Sequence, residues 1–217
     1  MTTLPLEIRR MIYARALGGK TVHLQTHKGK PRARVCGLDE PCHCYYFQPF
    51  REKTPDFGLG LLRTCRSIYS EAIEYLYSAN AFSLSTEKDE GPTVDYISYY
   101  FLPQRVLQVR HLHIYWQFDN NPYNFVFGIS PPSLEGWLTS WEALSRMTGL
   151  QKLHVTLEYP DYNWMENVED AWREKAVEML EVVKKIKVKD FVVYLPDDKW
   201  PLDFDTGDSK CLLRLAS

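Results

Sequence analysis

A chain of 217 residues, 45% hydrophobic and 25% charged, has the length and composition of one large globular domain. Its formal net charge of −2, with histidine neutral, excludes the global positive field that draws a protein to nucleic acid or an anionic membrane. No apolar run approaches the ~20 residues needed to span a bilayer, and Glu7, Arg9 and Arg10 interrupt the segment where a secretory signal needs an apolar core.

Five cysteines, an odd number without an export signal, fit a reducing compartment, so the chain is expected to be intracellular, cytoplasmic or nuclear. The 14 Tyr, 10 Phe and 6 Trp predict a thick aromatic core in which hydroxyls reach water or backbone partners.

In chain order, residues 4–17 read as a helix, with Pro5 at its first position and Glu7 in the first turn, where a negative charge complements the dipole. Leu4, Ile8, Met11 and Ile12 form its apolar stripe, and Gly18-Gly19 ends it. Residues 21–27 alternate around Val22 and Leu24, Lys28-Gly29-Lys30 suits a turn, and residues 33–36 suit the returning strand. A short strand is expected at Tyr45-Tyr46-Phe47 within a long surface loop. Residues 61–77 give the clearest helical spacing, with Leu62, Cys65, Tyr69, Ala72, Ile73 and Leu76 on one face. Asn80 is placed to end that helix in a left-handed turn. Residues 82–84 look like a strand, and Thr93 caps a short helix expected to run to Phe101 and stop at Pro103.

The second half echoes itself. Val109-Arg110-His111-Leu112-His113-Ile114 resembles Leu150-Gln151-Lys152-Leu153-His154-Val155 and Val188-Lys189-Asp190-Phe191-Val192-Val193. Leu112, Leu153 and Phe191 are the matching positions. Between them lie two helical patterns, one through Leu134, Trp137, Leu138, Trp141 and Leu144 with Ser133 as cap, the other through Val168, Trp172, Ala176, Met179, Leu180 and Val183. Strand, helix, strand, helix, strand predicts crossovers and a mixed, partly parallel sheet built from repeat-like, leucine-rich-repeat-like units. Leu112, Leu153 and Phe191, with the residues two positions on, should face the helices. His113, Tyr115, His154, Thr156 and Tyr194 should line the opposite face.

Two segments carry a family resemblance. Leu4-Pro5-Leu6-Glu7-Ile8-Arg9 looks like the Leu-Pro-x-Glu-Ile opening of an F-box. Leu61-Leu62-Arg63-Thr64-Cys65-Arg66 resembles the later F-box helix headed by Leu-x-x-Cys-Arg. With Leu76-Tyr77-Ser78-Ala79-Asn80, they resemble fungal F-box-like proteins, although here residues 14–60 separate the two segments. The resemblance implies an α/β single domain over residues 1–217. Its first part, 1–84, would hold F-box-like helices with an inserted hairpin and loop, and 85–217 the repeat-like layer. It also implies a protein-interaction function, with Leu4, Pro5, Ile8 and Ile12 contacting another protein such as a cullin-ligase adaptor. The same stripe has an internal use, packing on Cys65, Tyr69 and Ile73.

The competing expectation is a small-molecule-binding protein or biosynthetic enzyme, with His113 and His154 as proton-active groups beside Tyr115 and Glu158. No Gly-x-Ser-x-Gly elbow, phosphate loop or dinucleotide fingerprint appears, so the reading leans away from an enzyme and names no cofactor. Cys36, Cys42 and Cys44, with His27 and His43 nearby, are zinc-ligand types, but the paired-cysteine spacing is missing, and no metal is expected. Lys20, Lys28, Lys30, Arg32 and Arg34 read as a solvated basic hairpin, with no nucleic-acid partner. The carboxylates at residues 203–208 read as an acidic loop, because Arg214 stands where a calcium loop needs its last ligand.

Overall fold

The computed structural model describes residues 4–27, 30–36, 58–85, 97–118, 134–159 and 168–216. The expected strand at Tyr45–Phe47, the caps Thr93 and Ser133, and Cys42, His43 and Cys44 lie outside them.

Seven strands form one mixed sheet: β1 (Thr21–His27), β2 (Lys30–Cys36), β3 (Ala81–Ser85), β4 (His111–Gln117), β5 (Lys152–Glu158), β6 (Asp190–Leu195) and β7 (Cys211–Leu215). Their order is β2-β1-β3-β4-β5-β6-β7, with β1–β2 antiparallel and every other pairing parallel. The sheet crosses the expected division at residue 84. The hairpin, read from sequence as an insertion, lies inside it because β1 pairs with β3. The echo sets the register: Leu112 pairs with Leu153, and Leu153 with Phe191.

On one sheet face Val22, Leu24, Phe82, Leu84, Leu112 and Ile114 continue through Leu153, Val155, Phe191 and Val193 as one buried layer. Helix α6 (Leu134–Ser145) adds Trp137, Trp141 and Leu144 to it, α7 (Val168–Glu174) adds Trp172, and α8 (Ala176–Leu180) adds Ala176, Met179 and Leu180. Each fully buried aliphatic side chain contributes about 1.5–3 kcal/mol relative to exposure. Trp137 Nε1 donates to the Met179 carbonyl at 3.0 Å, which ties α6 to α8. The short α4 (Ile97–Tyr100) and α5 (Pro103–Val106) pack Ile97 and Phe101 onto the same layer. Pro103 starts α5 as well as ending what precedes it, since its fixed φ suits a first turn.

At the other end, α1 (Leu6–Leu17) packs on α3 (Arg66–Ser78) around Tyr13, Leu17, Ile68 and Ala72. The expected helix over 61–77 is broken. Residues Leu59–Leu62 form α2, and Cys65 turns extended, with φ −159°, before α3 begins. The break shifts the helical phase, so Cys65 and Tyr69, expected in the core, are exposed while Ile68 is buried. Asn80 ends both helices with its side chain: Nδ2 donates to the Leu17 carbonyl at 2.7 Å and the Leu76 carbonyl at 2.9 Å. Its Oδ1 accepts from Lys20 N at 3.0 Å.

The edge strand β2 carries Pro31, Lys30, Arg32 and Arg34, the features that discourage pairing with a further strand. Strand β7, a C-terminal strand that the sequence reading did not anticipate, forms the other edge. No helix among the described residues is long and apolar enough to cross a membrane.

Candidate functional site

Because side chains alternate along a strand, the face opposite the helices is made by the positions between the core residues. One in-register row across it reads Arg34, His23, Ser83, His113, His154, Val192 and Leu212. The next row includes Tyr115, Thr156, Tyr194 and Arg214. The sequence-predicted residues His113, His154, Tyr115, Thr156 and Tyr194 therefore do share one face.

The two imidazoles are stacked. The His113 and His154 rings lie 5.2 Å apart between centroids, with 11° between their planes. Tyr194 meets the His154 ring edge-on at 6.1 Å. His113 is buried, whereas the His154 side chain keeps 22% of its exposure and places Nε2 3.5 Å from Asp190 Oδ1. With the ring planes nearly parallel, the in-plane lone pairs of the two imidazoles lie in separate, nearly parallel planes. No group of three or more metal-ligating side chains occurs among the described residues.

Tyr115 is half-buried, and burial pushes its hydroxyl above the ordinary value, with the charges of Glu158 and Tyr194 adding to the effect. It stays a neutral hydroxyl near pH 7. Glu158 ends β5, half-buried beside it.

The sequence reading missed His23, Cys36 and Ser83 on this face and left Arg34 as solvated surface. His23 is buried with Nε2 3.1 Å from Cys36 Sγ. Burial, reinforced by the Arg34 charge, lowers its pKa to about 4, so it is neutral near pH 7. Ser83 is 1% exposed, and its hydroxyl has no hydrogen-bond partner among the described residues. The available signal was period-two alternation: His23 stands between Val22 and Leu24, and Ser83 between Phe82 and Leu84. Lys30, Arg32 and Arg34 take this face of β2. Lys20 instead donates through Nζ to the Ala16 and Gly18 carbonyls, at 3.0 and 3.3 Å.

The expected partner-binding stripe of α1 is distributed differently. Leu4, Pro5, Ile8 and Met11 are exposed, with Ile8 at 44% and Met11 at 68%, and Ile12 is half-buried. The internal contact with α3 is made by Tyr13, Ala16 and Leu17 instead. Glu71 of α3 accepts from Tyr13 Oη at 3.1 Å and pairs with Arg9 Nε at 3.0 Å. Burial and then the Glu71 hydrogen bond raise the Tyr13 pKa.

Fold and site together define a one-sheet α/β protein with a helix-packed apolar face and a histidine-rich polar face. The chain belongs to the family described as a domain of unknown function (DUF7730), whose model matches residues 1–216. No curated protein and no solved structure matches it.

Proposed function

We propose that this chain is a protein-interaction module, an F-box-like adaptor that docks a cullin-ligase adaptor through α1. What supports the reading is the division of side chains along that helix. Tyr13 and Leu17 complete the contact with α3, while Leu4, Ile8 and Met11, at i, i+4 and i+7, remain exposed on one side. A helix that has already satisfied its internal contact and still presents large apolar side chains has a surface suited to a partner.

The test is a pull-down of the purified cullin-ligase adaptor by the full chain, beside Ile8→Glu and Met11→Glu. Capture by the parent chain, lost in both variants, is the expected result. Absence of capture by the full chain overturns the reading. Deleting residues 20–58 is no control, since it removes β1 from within the sheet.

A second reading, small-molecule binding with His113 and His154 as proton-active groups, is favoured by their 5.2 Å stack. On this reading, His113→Gln and His154→Gln abolish a ligand-dependent rise in melting temperature that Ile8→Glu leaves intact. A ligand response unchanged in both histidine variants counts against it.

A further inference from the structure

We propose that the outer edge of β7 takes up an extended segment of a partner protein, acidic and aliphatic in composition, as an eighth strand of the sheet. The site is independent of α1, which leads into β1 and is separated from β7 by four strands.

The backbone supplies the first argument. Ala216 N–H donates to the Leu195 carbonyl at 3.0 Å, on the β6 side. A strand residue points its N–H and C=O to one side and the next residue to the other, so Leu212 and Arg214 also turn toward β6. Cys211, Leu213 and Leu215 therefore direct theirs outward, where no strand among the described residues meets them. Such a row is a template for strand addition, in which main-chain hydrogen bonds give the affinity.

The two edges of the sheet differ in what guards them. Strand β2 has Pro31 with Lys30, Arg32 and Arg34 around it, which discourages a further strand. Strand β7 has no proline, and its Leu212 and Leu215 are 52% and 42% exposed. Leu212 stands on the polar face and Leu215 on the helix-packed face, so an added strand covers both.

Charge selects the kind of segment. Residues 209–216 include Lys210 and Arg214 and no carboxylate. Both cations are exposed, and neither has an ion-pair partner among the described residues. Asp190, the carboxylate that begins β6, already lies 3.5 Å from His154 Nε2. A carboxylate arriving on an added strand meets Arg214 across the pair, where an opposite charge is stabilising.

A second copy of this chain fits less well. Two β7 strands paired antiparallel about Leu213 set Arg214 opposite Leu212. The two Arg214 side chains are then diagonal neighbours, at a spacing of about 7–8 Å, with no carboxylate between them.

The test is a titration of the full chain with capped peptides, followed by backbone amide shifts and hydrogen exchange. One peptide alternates valine and glutamate, and its control alternates valine and lysine. Saturable shifts confined to β7 and β6 are expected with the glutamate peptide. Exchange should slow at Leu213 and Leu215, whose N–H groups face outward, and change little at Leu212 and Arg214. Arg214→Glu, at an exposed position, should weaken the glutamate peptide about fivefold and admit the lysine peptide. Leu215→Pro removes an outward donor without touching the ladder to β6, so it should abolish binding at a parent-like melting temperature. If that variant fails to fold, Arg214→Glu decides alone. No saturable shift at β7 with the glutamate peptide overturns the proposal, as do equal affinities for the two peptides or parent-like binding by either folded variant. Exchange at Leu213 and Leu215 that slows with protein concentration alone assigns the edge to a second copy and overturns the partner.

Discussion

Asn80 and Leu17 are joined by a 2.7 Å hydrogen bond from the buried side-chain amide to the last carbonyl of α1. The same amide holds Leu76 and Lys20, so one side chain closes α1 and α3 and sets where β1 and β3 begin side by side. Asn80→Ala strands two carbonyls and one N–H in a site that is 1% exposed. A loss of about 2–4 kcal/mol is expected, read as a lower urea midpoint at unchanged slope.

Gly149 makes a different demand. Its φ is ordinary, but a Cβ there would collide with the Leu107 carbonyl oxygen and with Arg110 Nη1. Arg110 itself donates to the Gly149 carbonyl at 2.6 Å, holding the lead-in to β5 against that of β4. Gly149→Ala should cost about 2 kcal/mol or more, since backbone has to move. A melting temperature within a degree of the parent would contradict this.

His23 makes stability depend on pH in a definite direction. Its folded-state pKa of about 4 lies below the ordinary 6.5, so the unfolded chain takes up a proton that the folded chain refuses. Stability therefore falls as pH drops from about 6.5 toward 4, by about 3 kcal/mol from this group at the low end. His23→Gln should flatten that part of the profile in urea titrations at pH 7, 6, 5 and 4. An equally steep profile in the variant would exclude His23 as its source.

The cysteines should differ sharply in reactivity. Burial pushes the Cys211 thiol up to about 12, whereas Cys65 is exposed at the start of α3. Alkylation of the native protein, followed by peptide mapping, should modify Cys65 well before Cys36 and Cys211, which should stay unlabelled until unfolding. Rapid native labelling at Cys211 would be inconsistent with the packing of β7 on β6.

On α1, Ile8→Glu and Met11→Glu should change folding stability by less than about 0.5 kcal/mol, because neither side chain contributes to the contact with α3. A larger loss by thermal melting would mean that the exposed surface serves the fold itself.

The parallel centre of the sheet was legible because Leu112, Leu153 and Phe191 mark the same level of three strands, and alternation then assigns both faces. That alternation also placed His113 and His154 together, since their strands pair in register. The α1 stripe was harder to read. Its apolar positions outnumber those the domain buries, and spacing alone does not pick out Tyr13 and Leu17 as the residues that meet α3. The α2–α3 break was hidden because Leu62, Cys65 and Tyr69 keep helical spacing across a backbone that turns extended at Cys65. Strand β7 was missed because Cys211–Leu215 is short and nearly all apolar, without alternation. Ser83 and His23 were overlooked because a lone polar residue between two apolar ones reads as a strand's solvent side, and whether that side is buried is settled by distant chain.

Since β3, β4 and β5 run in one direction, the connections that leave them after residues 85, 118 and 159 all depart from the same rim of the sheet. The ends of β3, β4 and β5 are thus neighbours in space although far apart in the chain, so groups attached at those three positions would be carried side by side.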